Sequence, residues 1–310
     1  MEKQPKKNGR IVDENVALDT ESVKGFFDRR IQKKLPYLCN YVNYQDAHPE
    51  VAVKRDRFEK ERILPLLSLR PGIRVLDIGC GVARWAEALL PFVSENGVYV
   101  GVDFSEEILS LAKEHFHQEK NCHFFCAAFQ DLLDKLPPAL LEKKFQLILI
   151  NGVFMYINDQ DISVCCRNVH KLLDADGMIY LKESVGIHHR LTLDKIYSEE
   201  LGSQYSAIYR SIEEYNEIVK NDFLDRGYQQ LYAEELWKDQ LKVRKETTAY
   251  FWLLKNRVEK IISRTRNRRT SISMAELFQP GAAMRWIRLR CMARLVEKAY
   301  LLMFCLAGRD

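Results

Sequence analysis

The segment Val75-Leu76-Asp77-Ile78-Gly79-Cys80-Gly81 constrains what this chain can fold into more than any other. Apolar and β-branched residues from Arg74 to Ile78 predict a strand, the glycines a turn, and the apolar spacing up to Leu90 a helix. Glycines in such a turn let the backbone approach a ligand that a Cβ would hold off, and the helix start beyond offers free N–H donors. A second predicted strand, residues 98–103, ends in Asp103 and is followed by Phe104. An acid at that place accepts hydrogen bonds from ribose hydroxyls.

The alternation continues. Ser105 to His117 reads as a helix, Cys122 to Cys126 as a short strand, Phe145 to Asn151 as a strand, Asp159 to Leu173 as a helix and Met178 to Glu183 as a strand. Continuous apolar strands separated by helices predict a parallel sheet covered on both faces, an α/β fold. Tyr228 to Trp237 and Thr247 to Leu254, joined by a charged connection, predict an antiparallel pair at the sheet edge. Residues 25–69 read as helices broken near Pro36 and Pro49, residues 1–24 as a frayed start, and residues 187–226 as helical.

Two cofactor classes fit the strand–glycine–helix–strand–acid order. A dinucleotide site prefers Gly-x-Gly-x-x-Gly, and here the third glycine position is Arg84. Asp77, just before the glycines, is a poor neighbour for a pyrophosphate and suits a cofactor with a cationic amino-acid end. At VLDIGCG and GVDFSEE the sequence resembles class I S-adenosyl-L-methionine (SAM)-dependent methyltransferases. The likeness runs on through FQLILINGVFMYI and LLDADGMIYLKES to the strand pair at Tyr228 to Leu254. YRSIEEY loosely resembles small-molecule or sugar methyltransferases of bacterial polysaccharide or antibiotic gene clusters.

The resemblance implies a Rossmann-like, seven-stranded, mostly parallel sheet with an antiparallel last strand; the residues themselves add a helical lid insertion and a basic helical C-terminal tail. The expected division is a helical cap over 1–57, a SAM-binding methyltransferase domain over 58–255 with a helical acceptor insertion at 187–226, and a basic tail over 256–310. It implies SAM as cofactor, with Asp77 toward the methionine ammonium, Gly79 and Gly81 under the methionine, and Asp103 with Phe104 at the ribose. Ala128 and Phe129 are expected at the adenine, Asn151 at the methionine end, and Arg57 on the cofactor carboxylate. Cys126-Ala127-Ala128-Phe129 stands where the family often has an acid on adenine, and Gln146 where it usually has Asp.

Methyl transfer is an in-line displacement that needs alignment and, for a hydroxyl acceptor, removal of a proton. Tyr156, Glu183 and His188, with His189 beside it, fall by sequence at the carboxyl ends of the fourth and fifth parallel strands and are the catalytic candidates. Lid tyrosines are expected at 197, 205, 209 and 215, with Arg210, and at 37, 41 and 44 from the N-terminal side. The activity expected is SAM-dependent methyl transfer (EC 2.1.1 class) to a hydroxyl of a small molecule or sugar. N-methylation of an amine, RNA methylation, and a non-catalytic SAM-binding partner subunit are the alternatives.

His115, His117, Cys122, His123 and Cys126 have no zinc-ligand spacing, and no metal is expected. Eight scattered cysteines, none in a CxxC pair, predict reduced thiols in a cytoplasmic protein. Charge is divided unevenly. From Lys255 onward there are 13 Lys and Arg against 4 Asp and Glu, while the rest of the chain carries 34 against 39. Residues 282–307 place Trp286, Leu289, Met292, Val296 and Tyr300 on one helical face beside basic residues. That pattern predicts packing on the chain's own body or on a second copy of it, or a contact with an anionic membrane surface, here the inner face. Nucleic acid is disfavoured, because Arg264 to Arg269 is the one dense basic run and the body is slightly acidic.

Overall fold

The computed structural model describes residues 9–237, 241 and 244–257. The expected basic tail and its apolar face lie outside the described residues. In chain order the strands are β1 (Gly9–Val12), β2 (Arg74–Ile78), β3 (Val98–Asp103), β4 (Cys122–Cys126), β5 (Phe145–Asn151), β6 (Leu173–Gly186), β7 (Leu191–Ser198), β8 (Ser203–Tyr209), β9 (Tyr228–Glu235) and β10 (Thr247–Asn256). The helices are α1 (Thr20–Arg30), α2 (Pro49–Ile63), α3 (Ala86–Val93), α4 (Glu106–His115), α5 (Leu132–Lys135), α6 (Pro138–Leu141), α7 (Asp159–Leu172) and α8 (Ile212–Asp222).

A seven-stranded sheet runs in the order β4-β3-β2-β5-β6-β10-β9. The pairs from β4 to β6 are parallel, and β10 lies antiparallel between β6 and β9. This is a Rossmann-like sheet, with the expected antiparallel last strand. Leu76, Ile148, Ile179 and Trp252 belong to the apolar cluster on one face of the sheet; Val75, Leu147, Tyr180 and Phe251 belong to that on the other. Alternate residues of one strand thus feed opposite cores, as period-two geometry requires. Each fully buried aliphatic or phenyl side chain contributes about 1.5–3 kcal/mol.

Residues 187–209 correct the expectation of a helical insertion. Strands β7 and β8 form an antiparallel hairpin, and β1 adds to it through the register Gly9↔Asp194 to Val12↔Leu191. The tyrosines and glutamates that suggested helix divide between strand and turn. Leu191, Tyr205, Ala207 and Ile208 are buried against Phe26 and Phe27 of α1, while Glu199 and Glu200 sit at the exposed turn. β-branched and aromatic residues on a half-buried surface favour strand. The helix of this region is confined to α8, opened by a capping box between Ser211 and Glu214. The segment before α1 is tied down as well: Asn158 brackets Leu18, accepting from its N–H (2.7 Å) and donating to its C=O (3.2 Å). Asp19 caps α1 by accepting from the Ser22 N–H.

Candidate active site

Beyond the carboxyl ends of the parallel strands lies a cavity of about 660 Å³. After Ile78 the chain reverses at Gly79 (φ +67°) and Gly81 (φ +55°). A Cβ on Gly79 would stand 2.4 Å from Val153 Cγ2, and one on Gly81 2.6 Å from Val42 Cγ1. Both glycines are therefore required by conformation and by space. The turn is anchored on β3: the N–H groups of Gly79 and Cys80 donate to the Val102 carbonyl at 2.7 and 2.9 Å.

Two acids line the cavity beside this turn. Asp103 accepts from the Gly81 N–H at 2.9 Å and the Ser105 N–H at 3.0 Å, yet burial pushes its carboxyl up to about 6. Asp77 accepts from the Tyr99 hydroxyl, and burial outweighs that bond, pushing it up to about 7. Buried carboxylates of this kind gain from a neighbouring cation. Asn151 lines the same cavity, and both its amide nitrogen and its side-chain oxygen are buried without a partner. Unpaired buried polar atoms carry a desolvation cost that a ligand with a donor and an acceptor would remove. Phe104, Ala128 and Phe129 line the wall by Asp103, and Phe129 stacks on Phe154 with ring centroids 5.8 Å apart.

On the cap side the cavity is closed by phenols. The Tyr156 and Tyr205 hydroxyls are 2.9 Å apart, Tyr156 donates to Tyr44 at 3.4 Å, and Tyr209 donates to Tyr205 at 3.3 Å. Burial lifts the hydroxyls of Tyr44, Tyr156 and Tyr205 above the ordinary tyrosine range, so all three stay protonated at neutral pH.

Residues 75–177 match the family model described as a methyltransferase domain. The chain carries a methyltransferase domain. Over 71 residues it is 34% identical to demethylmenaquinone methyltransferase of Bacillus cereus, a match that covers 23% of this chain and 30% of that protein. Its fold resembles the solved structure of Haemonchus contortus phosphoethanolamine N-methyltransferase 1 in complex with phosphoethanolamine and S-adenosylhomocysteine. The TM-score is 0.56 at 18% identity, over 76% of this chain and 48% of that one. A SAM-dependent methyltransferase of Leishmania major aligns with a TM-score of 0.51 at 16% identity, over 77% of this chain and 87% of its own.

The methyltransferase domain gathers Asp77, Gly79, Gly81, Asp103, Phe104, Ala128, Phe129, Asn151 and Tyr156 on one cavity. Three other expected residues are placed elsewhere. Arg57 pairs with Glu61 at 2.8 Å on the outer face of α2, with 79% of its side chain exposed; one helical step carries it away from the site. The cavity instead presents Arg84, held by Asp56 at 2.8 Å and Glu59 at 2.9 Å. His188 is exposed in the β6–β7 connection, and neither it nor His189 lines the cavity. Glu183 is fully buried, and its carboxylate accepts the N–H groups of Val153 (2.9 Å), Phe154 (2.8 Å) and Met155 (3.2 Å). It holds the turn that delivers Tyr156 and does not face the cavity.

Of the lid tyrosines, those at 44, 205 and 209 line the cavity; Tyr215 is buried beside Trp252, and Tyr37 and Tyr197 are exposed. Sequence reasoning missed Lys182 and Glu59. Glu59 is held well ionised, down at about 2, chiefly by Arg84 and Lys182, against the cost of its burial. The one sequence signal of this network is Arg84 itself, where a dinucleotide site would have glycine.

Proposed function

We propose that this chain binds SAM, with the methionine ammonium at Asp77 and the ribose at Asp103, and transfers the methyl group to a small polar acceptor at the tyrosine-lined side. The observation that supports it is a single cavity where two buried carboxyls, raised to about 7 and 6, stand around a glycine turn and the unpartnered Asn151 amide. Such a site favours a cationic, hydroxyl-bearing cofactor over a pyrophosphate. The family match over residues 75–177 supports the same reading.

Bound there, SAM supplies an electrophilic methyl group for in-line displacement. The residues of this chain align the acceptor: Tyr44, Tyr156 and Tyr205 offer hydroxyls that donate and accept, and Glu183 fixes the turn carrying Tyr156. None of the seven histidines lines the cavity, and Glu183 is committed to backbone N–H groups. Among the described residues the carboxylates that line the cavity are Glu21, Asp77, Asp103 and Asp131, of which Asp77 and Asp103 are given to the cofactor in this reading. An acidic hydroxyl, such as a phenol or enol, asks least of a base and is the hydroxyl acceptor this site suits best. A free amine, which needs no base, is the second reading.

The test is calorimetry with S-adenosylhomocysteine, followed by turnover on separate panels of phenols, amines and sugars. Absence of binding would overturn the reading. Turnover confined to unactivated sugar hydroxyls would overturn the account of the acceptor. Binding without turnover on any panel would point to a SAM-binding partner subunit.

A further inference from the structure

Among the described residues, five cationic side chains line the cavity: Lys24, Arg55, Arg84, Lys182 and Arg244. Three are neutralised by carboxylates. Lys24 pairs with Asp28 at 2.7 Å, Arg84 with Asp56 and Glu59, and Lys182 with Glu59 at 3.3 Å. Arg55 and Arg244 have no carboxylate partner among the described residues. Arg55 spends Nε and one terminal nitrogen on the Leu241 carbonyl, at 3.1 and 2.6 Å, and its guanidinium lies over the Trp237 ring, 5.4 Å from the centroid. That bond ties α2 to the β9–β10 connection, from which Arg244 also reaches the cavity.

Both guanidiniums line the one cavity, the Arg244 charge reaches Arg55, and Arg244 stands beside the Tyr205 and Tyr209 hydroxyls. Glu200, an exposed side chain on the β7–β8 turn, lends both a weaker opposing field without forming an ion pair with either among the described residues. Two like charges in one cavity wall repel unless an anion joins them. Arginine is the side chain suited to that anion, because its planar fork matches carboxylate and phosphate oxygens.

Position separates the β10 side of the cavity from Asp103, the proposed ribose residue. The cavity wall also includes Ser184 and Thr247; Thr247, three residues after Arg244, opens β10 opposite Gly186, and Ser184 is paired with Ala249 across β6 and β10. Asp103 ends β3, and the sheet order between them is β3-β2-β5-β6-β10. Four strand spacings of about 4.8 Å separate β3 from β10, roughly 19 Å. The hydroxyls of Ser184 and Thr247 make no hydrogen bond among the described residues and add neutral donors to the arginine pair.

We propose that Arg55 and Arg244 form an anion-binding wing of the cavity that holds a carboxylate or phosphate group of the methyl acceptor. The assignment to the acceptor rests on the methyl-transfer reading above; the anion site itself does not. The acceptor is then a small molecule with its methylatable atom at the tyrosines and an anionic group toward β10.

The full-length chain saturated with S-adenosylhomocysteine is titrated with inorganic phosphate and, separately, with malonate, by calorimetry. Arg55→Gln, Arg244→Gln and their double variant are compared with wild type, and thermal melts confirm that each is folded. Arg55→Lys, which keeps the charge, covers the case in which Arg55→Gln does not fold. Saturable binding of at least one anion is expected, weakened about tenfold by either Gln substitution, with S-adenosylhomocysteine affinity unchanged. The tighter of the two anions names the group. Absence of saturable binding, or equal binding by wild type and the double variant, overturns the proposal. A matching loss of S-adenosylhomocysteine affinity also overturns it, because the arginines would then hold the cofactor carboxylate. If wild type fails to bind S-adenosylhomocysteine, the methyl-transfer reading falls, and the same anion titrations on the unloaded chain still decide whether the wing binds anions.

Discussion

Asp103 and Gly81 meet in one hydrogen bond, so each tests the other's assignment. Asp103→Ala is expected to weaken S-adenosylhomocysteine binding by about 1–3 kcal/mol, through loss of a charged acceptor and of the bond that orders the glycine turn. Unchanged affinity by calorimetry would remove the ribose assignment. Gly81→Val should abolish binding, since a Cβ there meets Val42 at 2.6 Å on a backbone with φ +55°. Asp77 gives a pH signature. Its carboxyl titrates near 7 in the folded protein, against an ordinary value of 3.8. A folded pKa raised in this way means that its contribution to stability is full below the unfolded value and is lost as pH rises toward 7. The cofactor ammonium needs the ionised form, so affinity should climb between about pH 6 and 8, by at most about tenfold per pH unit. Asp77→Asn should flatten that slope and raise the melting temperature of the ligand-free protein at about pH 8. A slope that survives the substitution would place the titrating group elsewhere.

Two elements carry residues of the candidate acceptor side, and each depends on a distant partner. The turn at Phe154–Tyr156 is held by Glu183 of β6 on three N–H groups and by Arg210, which donates to the Phe154 and Ile157 carbonyls at 2.7 Å each. Glu183→Gln would set an amide N–H against a backbone N–H. It should cost about 1–3 kcal/mol of stability and lower kcat while leaving S-adenosylhomocysteine affinity nearly unchanged. A general base would instead change the shape of the pH–rate profile, and a shifted profile in this variant would contradict the positioning role. The cap is joined to the domain by β1 on β7 and by Asn158 on Leu18. Asn158→Ala should raise hydrogen exchange across residues 9–30 with little change in the parallel strands; protection lost evenly throughout would show that the cap is not a separate unit of opening.

The described residues contain no helix long and apolar enough to cross a membrane. Any surface attachment would fall to the basic C-terminal segment, where 13 Lys and Arg face 4 Asp and Glu from Lys255 onward. Basic residues near an anionic lipid surface contribute about 1 kcal/mol each, and salt reduces the effect. We propose that the full chain floats with anionic but not neutral liposomes, and that a chain ending at Ser263 does not. Equal flotation of both chains, or of neither, would remove the membrane reading. A change of mass in solution on truncation would assign the segment to a contact between copies.

The parallel strands and the glycine-turn side of the cavity were legible in the sequence because their signals are local. Runs such as Arg74–Ile78 and Phe145–Asn151 carry their own periodicity, and Gly79, Gly81 and Asp103 are required by turn geometry and hydrogen bonding within one strand–helix–strand unit. What only the tertiary structure decided rests on pairing between distant segments. β7 and β8 are strands because β1 and α1 give them a buried face, a contact spanning well over a hundred residues that no local pattern announces. Arg57 and Arg55 sit two positions apart on α2, and helical rotation alone sends the first to solvent and the second to the cavity. Glu183 stands at the expected strand end, but fully buried against the N–H groups of Val153, Phe154 and Met155 it became a structural acceptor. The sequence could name its chemistry, but only the packing around it determined how that chemistry is used.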